Sequence, residues 1–182
     1  MTRTLVLGGA RSGKSAHAER LATQSGKQVI YIATAQPSDV EMRARIAHHR
    51  ASRNGDWNTV EEPLALGDAI AQWSAPQRLV LVDCLTVWLS NLLFSEAQDY
   101  PAVGAITPPA LFGEQRERFL QALDKAAGDV VLVSNEVGLG VIPQGAISRW
   151  FVDEAGRLNQ AVAARCEHAV FVAAGLPMTL KG

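Results

Sequence analysis

"TLVLGGARSGKS", residues 4–15, runs from an apolar, β-branched segment through a glycine-rich turn into a helix-forming segment. Its second part, "GGARSGKS" (residues 8–15), matches G-x-x-x-x-G-K-[ST] through Gly8, Gly13, Lys14 and Ser15. The match gains meaning from its position between a strand and a helix. Glycines let the backbone wrap around phosphate oxygens with its N–H groups turned inward, and the helix N-terminus adds partial positive charge. Lys14 supplies a full charge, and the Ser15 hydroxyl suits a magnesium ion. A nucleotide-phosphate site is therefore expected over Gly8, Gly9, Ala10, Arg11, Ser12, Gly13, Lys14 and Ser15.

Similar apolar runs follow: "QVIYIAT" from Gln28, "RLVLVDC" from Arg78, "DVVLVSN" from Asp129 and "HAVFVAAG" from His168. Being apolar on successive residues, they read as strands buried on both faces, as in a parallel sheet covered by helices. Helix-like segments at 14–24, 40–52, 64–74, 85–97, 110–127 and 146–166 alternate with them. This order predicts an α/β three-layer P-loop NTPase domain with a mainly parallel sheet and right-handed crossovers. "WNTVEEP" from Trp57 suggests an added edge strand, with Pro63 in the first turn of the next helix. "QDYPAVGAITPPA" (98–110) reads as a surface loop, not a linker, so residues 1–182 form one domain. At 182 residues, 48% of them hydrophobic, the chain has enough apolar side chains for one core.

Lys and Arg number 17 against 18 Asp and Glu, a net charge of −1, so no basic excess points to nucleic acid or an anionic membrane. The apolar run at the N-terminus is too short for a signal peptide, and no stretch reaches membrane-spanning length. A cytoplasmic protein with a small-molecule ligand is expected. Cys84 and Cys166, each in or beside an apolar segment, read as buried thiols in a reducing compartment.

A P-loop site needs a carboxylate to hold magnesium, and Asp83 ends an apolar strand where one is required. The alternative for Asp83 is to cap the helix beginning at Leu85. Glu136, after "VVLVSN", stands at the same expected sheet edge and either positions metal or nucleophile or accepts loop hydrogen bonds. No N-K-x-D follows a later strand, which disfavours a guanine-reading switch protein. The chain also lacks the size and basic surface of a translocating ATPase. A small kinase or nucleotidyltransferase remains.

"ARIAHHRAS" (44–52) holds two of the chain's four histidines. On a helix over 40–52, Met42, Ile46 and His49 share one stripe, while His48 falls with Glu41, Ala44, Arg45 and Ser52. His48 is thereby placed toward solvent or a ligand. A neutral imidazole is a competent nucleophile toward phosphorus, with a nearby Arg offsetting the phosphate charge. Taken without context, a histidine pair on a helix is more often surface decoration, or one core and one exposed residue. Three further segments stay open in the same way. "NEVGLGVIP" (135–143) suits a lid or a tight connection, Arg157 and Asn159 suit a ligand site or a solvated helix face, and "LTVWLSNLLF" (85–94) suits an intersubunit or a core helix.

With "GGARSGKS", "YIAT", "RIAHHR", "VDCLTVWLSNLL" and "VSNEVGLGVIP" in this order, the chain resembles the bifunctional adenosylcobinamide kinase / adenosylcobinamide-phosphate guanylyltransferase family over nearly its whole length. The resemblance implies a RecA-like core and two reactions. The γ-phosphate of ATP or GTP passes to the aminopropanol hydroxyl of adenosylcobinamide, and GTP then guanylylates a histidine that hands GMP to adenosylcobinamide phosphate. It maps that histidine onto His48 and nucleotide contacts onto Ala33, Thr34, His49, Arg50, Ala51, Ser52, Glu61 and Asp83. Ser15 and Asp83 are implied as magnesium-site residues, although relatives carry Glu where this chain has the shorter Asp83. A homotrimer is implied as well. A P-loop small-molecule kinase with no covalent histidine would differ in leaving no nucleotide attached to the protein, and a regulatory module in binding nucleotide with no phosphate acceptor and with a protein partner that depends on nucleotide state.

Overall fold

A computed structural model of the chain describes residues 1–36 and 55–182. The apolar runs form strands β1 (Arg3–Gly8), β2 (Gln28–Ala33), β4 (Arg78–Asp83), β5 (Asp129–Asn135) and β6 (His168–Ala173), with β3 (Asn58–Glu61) and β7 (Leu176–Lys181) added at the margins. They make one seven-stranded sheet in the order β3-β2-β4-β5-β1-β6-β7. Every pair is parallel except β6 with β7. Burial on both faces explains the continuous apolar runs. Val80, Val82, Val130 and Leu132 point into one core layer, while Leu79, Leu81, Val131 and Val133 point into the other.

Helices cover both faces. α1 (Lys14–Gln24) lies on one, contributing Ala18 and Ala22 to the layer beneath β1, β4 and β5. α2 (Leu66–Trp73), α3 (Leu85–Leu93), α4 (Ala110–Lys125) and α5 (Ala146–Arg165) pack on the other around Trp88 and Phe119, whose rings meet at 5.0 Å. α2 lies so close to α4 that a Cβ on Gly67 would come within 2.8 Å of the Arg118 carbonyl carbon. Glycine is required there by close approach.

Several sequence expectations are refined. α3 stops at Leu93 instead of running to 97, and its apolar circumference is buried in this chain's own core, through Leu85, Trp88, Leu89, Leu92 and Leu93. The core reading of that segment is the one observed. α2 begins at Leu66, after Pro63, because the Glu62 carboxylate collects the N–H groups of Leu64 (2.9 Å) and Ala65 (2.7 Å) ahead of it. β7 was not expected at all. It follows β6 through the two residues Ala174 (φ 51°) and Gly175 (φ 79°), the positive pair that closes a tight hairpin. The expected helix over 40–52, with His48, lies outside the described residues.

Candidate active site

In an open, mainly parallel sheet, ligands collect beyond the carboxyl ends of the strands. Here those ends are Gly8 of β1, Ala33 of β2, Glu61 of β3, Asp83 of β4 and Asn135 of β5. The glycine-rich segment leaves β1 at Gly8 and enters α1 at Lys14. Gly13 caps that helix in the left-handed conformation (φ 93°) with no side-chain hydrogen bond, leaving the first N–H groups of α1 for a ligand. Arg11 also adopts a positive φ of 55°, so the loop curls as a phosphate cradle does.

Two neighbours hold this curl. A Cβ on Gly8 would meet the Ser12 Oγ and the Val172 carbonyl oxygen, both at 2.5 Å. From below, the hairpin turn between β6 and β7 supports the loop: the Gly175 N–H donates to the Ser12 carbonyl at 2.8 Å, and a Cβ on Gly13 would sit 3.1 Å from the Gly175 Cα. Lys14 is buried and its Nζ donates to the Gly9 carbonyl at 3.1 Å, so the cation lies folded over the loop. Ser12 Oγ is buried without a hydrogen-bond partner among the described residues.

Asp83 ends β4 on the α1 side of the sheet, where its Oδ2 accepts the Tyr31 hydroxyl at 2.9 Å. The next residue, Cys84, has its thiol pushed up to about 12, by burial first and by the Asp83 charge second. This thiol is inert near neutral pH. Glu136 follows β5 and is tied to the phosphate loop, since its N–H donates to the Gly8 carbonyl at 3.1 Å. Its Oε1 accepts the Gly138 N–H at 2.8 Å, which supports the loop hydrogen-bonding reading of this acid.

Not every expected residue stands alike. Thr34 is fully buried, and its hydroxyl is used on Cys84, donating to the carbonyl at 2.8 Å and accepting the N–H at 2.9 Å. That side chain locks β2 to β4 and offers a nucleotide nothing beyond the shape of the strand end. Ala33 and Glu61 are in register on neighbouring strands, and Glu61 is exposed. β3 lies four strand positions from β1, about 19 Å at ordinary strand spacing, so Glu61 stands well apart from the phosphate loop. His48, His49, Arg50, Ala51 and Ser52 lie outside the described residues, on the connection between β2 and β3.

Arg157 is exposed and paired with Glu154, which also binds Arg116 at 2.9 Å and so ties α5 to α4. Asn159, expected at a ligand or in solvent, is instead buried in a polar cluster. Ser134 Oγ donates to its Oδ1 at 2.7 Å, and its Nδ2 reaches the Asn135 carbonyl at 3.3 Å. Thr86 joins this cluster by accepting the Asn135 N–H at 2.7 Å. Sequence reasoning missed the group. Its one linear trace is the pair of small polar residues ending "VVLVSN".

Among the described residues no group of three or more His, Cys, Asp or Glu is arranged to hold a metal ion. A magnesium ion that arrives with a nucleotide needs no such cage, because phosphate oxygens and water fill most of its shell. The Ser15 hydroxyl, in the first turn of α1, and the Asp83 carboxylate, at the end of β4, are oxygen donors of the kind such an ion takes.

Fold and loop define a P-loop nucleotide-binding protein. The ATPase of a type III secretion system from pathogenic bacteria shares this fold, with a TM-score of 0.57 and 10% identity over 98% of this chain and 56% of that one. A family model described as cobinamide kinase / cobinamide phosphate guanyltransferase matches residues 4–180. The chain is 54% identical over 180 residues to the bifunctional adenosylcobalamin biosynthesis protein CobP of Pseudomonas aeruginosa, covering 99% of this chain and 98% of that one. It is 40% identical over 184 residues to the corresponding CobU protein of Escherichia coli K12, covering 97% and 98% respectively. The chain belongs to the cobinamide kinase / cobinamide phosphate guanyltransferase family, and it is an enzyme with those two activities.

Proposed function

We propose that both reactions draw on a nucleotide whose phosphates lie in the loop Gly8–Ser15. The observation that carries this reading is the loop itself, a curled backbone with an uncapped helix end and a buried lysine, in line with an acidic strand end at Asp83. In the kinase step the aminopropanol hydroxyl oxygen of adenosylcobinamide bonds to the γ-phosphorus of ATP or GTP. The bond from that phosphorus to the β–γ bridging oxygen breaks, a nucleoside diphosphate leaves, and the hydroxyl proton goes to solvent. Lys14 and the α1 N–H groups stabilise the charge on the phosphates. Ser15 and Asp83 would hold a Mg2+ ion arriving with the nucleotide, and the ion would neutralise phosphate charge.

In the second step a ring nitrogen of His48 bonds to the α-phosphorus of GTP as the bond to the α–β bridging oxygen breaks, releasing pyrophosphate and an imidazole proton. A phosphate oxygen of adenosylcobinamide phosphate then displaces the histidine, giving adenosyl-GDP-cobinamide. His49, Arg50, Ala51, Ser52, Ala33, Thr34 and Glu61 form the nucleotide surroundings on the β2–β3 side, through backbone shape alone in the case of Thr34. The family resemblance supports a homotrimer, and Leu176, Met178 and Leu180, exposed on β7, offer an apolar surface for a neighbouring copy. The enzyme would work in the cytoplasm, and no described helix is long and apolar enough to cross a membrane.

The deciding experiment incubates the protein with Mg2+ and GTP labelled at the α-phosphate, then denatures it. Acid-labile, base-stable label is expected on wild type and on His49→Ala, and absent from His48→Ala. A folded, GTP-binding wild type that retains no label would overturn the covalent step.

A further inference from the structure

Tyr31 is among the largest fully buried side chains, 1% exposed, and it sits in β2 between the aliphatic Ile30 and Ile32. An aliphatic residue would fill the same layer with no polar atom to satisfy. A buried phenol instead has to find its hydroxyl a partner, and the choice of partner is informative. Here it is the carboxylate of Asp83.

The sheet register makes that contact. Tyr31 lies opposite Leu81, and Ala33 opposite Asp83, so Asp83 stands two residues further toward the carboxyl edge, about 6.6 Å along the strand. Tyr31 and Leu81 belong to the layer under α1, and alternation puts Asp83 on that face as well. The phenol spans the gap, and its hydroxyl donates to Asp83 Oδ2 at 2.9 Å. Trp57, at the entry to β3, stacks on the Tyr31 ring with centroids 6.4 Å apart and planes 23° apart, so the ring is held in place. The Asp83 carboxylate has no such packing. It is half-buried at a strand end, its terminal torsion is intrinsically soft, and no second hydrogen bond to it comes from a described residue.

We infer that Tyr31 is a positioning residue for the magnesium ion of the nucleotide, its hydroxyl fixing the plane of the Asp83 carboxylate and leaving Oδ1 for the ion or one of its waters. Tyr31 itself touches neither ion nor nucleotide. A neutral donor suits this place: a lysine or arginine there would orient the carboxylate but also cancel the charge that attracts the cation, whereas a phenol orients it and leaves the charge in place. The inference rests on Asp83 holding the ion as proposed above.

The test compares wild type, Tyr31→Phe, Asp83→Asn and the double variant. Mn2+ is the probe, its binding followed by electron paramagnetic resonance in the presence of a GTP analogue with a methylene bridge between the α- and β-phosphates. Kinase rates against Mg2+ concentration, analogue affinity in EDTA and the metal-free melting temperature are measured beside it. Tyr31→Phe should weaken Mn2+ binding about tenfold and raise the Mg2+ concentration for half-maximal kinase rate by a similar factor. Analogue affinity in EDTA and kcat at saturating Mg2+ should hold. In the Asp83→Asn background the same change should add nothing to the loss of Mn2+ binding. A Tyr31→Phe protein with a lowered melting temperature and wild-type Mn2+ affinity would show that the hydroxyl serves folding alone, and would overturn the inference. An equal loss with Asp83 already replaced would overturn it too, because the hydroxyl would then act elsewhere. Wild-type Mn2+ affinity in Asp83→Asn would take the ion away from this carboxylate and overturn both readings together.

Discussion

The two ends of the sheet treat polar groups in opposite ways. At the amino ends of the strands, charges close on one another. Asp129 takes Lys27 Nζ at 2.7 Å and the Thr2 N–H at 2.9 Å, Glu167 takes the Arg3 N–H at 2.6 Å, and Arg3 also reaches the Asp124 carbonyl at 3.0 Å. At the carboxyl ends Lys14 settles for a carbonyl of its own loop, and Ser12 Oγ and Asn135 Oδ1 have no partner among the described residues. The amino end closes nearly all of its charges on one another, with Arg3 Nε the exception among the described residues, and holds the fold. The other keeps a lysine and the first N–H groups of α1 uncommitted to any acid.

This contrast predicts that substitutions at the two ends separate activity from stability. The largest effect belongs to Lys14→Ala, which should cut kinase turnover at least about 10²-fold while leaving the nucleotide-free melting temperature within about 2 °C. Steady-state rates and a thermal melt decide it, and a large drop in melting temperature would break the contrast. Gly13→Ala sharpens it, because a Cβ at φ 93° pressed against Gly175 should cost about 1–2 kcal/mol in a urea melt and distort the cradle. Activity should fall more than stability.

Next comes Asp129. Burial works to raise its pKa, but the Lys27 hydrogen bond, the Thr2 N–H and nearby positive charge outweigh this and hold it below its ordinary value of 3.8. A depressed carboxylate adds stability above its unfolded pKa and loses it as pH falls through the folded one. Asp129→Asn should therefore lower the melting temperature by about 2–4 °C at pH 7, with the gap from wild type shrinking below about pH 4. Catalytic rates at pH 7 should not move. The smallest effect concerns thiols: Cys84 and Cys166, both pushed up to about 12 chiefly by burial, should resist alkylation at pH 8 until the chain is unfolded. Mass spectrometry before and after denaturation measures this.

The strands β1, β2, β4, β5 and β6 were legible because burial on both faces leaves an uninterrupted apolar record. The phosphate loop was legible because its glycines and lysine are contiguous. β7 left no such record, since all six residues of "LPMTLK" are exposed and Pro177 reads against a strand. The polar cluster was hidden for a different reason. Thr86, Ser134 and Asn159 are brought together only by β5 meeting α3 and α5, and each alone looks like an ordinary small polar residue. Polarity alone left Asn159 to a ligand site or a solvated helix face, yet packing buried it and hydrogen bonds met the cost.

The hairpin turn under the phosphate loop makes one backbone amide a spectroscopic witness. Gly175 N–H is bound to the carbonyl of Ser12, far from it in sequence. Any change in the loop's curl when phosphate arrives must lengthen, shorten or re-angle that single bond. Its proton chemical shift and its exchange with deuterated water would then report occupancy of the cradle from a residue that carries no side chain and takes no part in the chemistry.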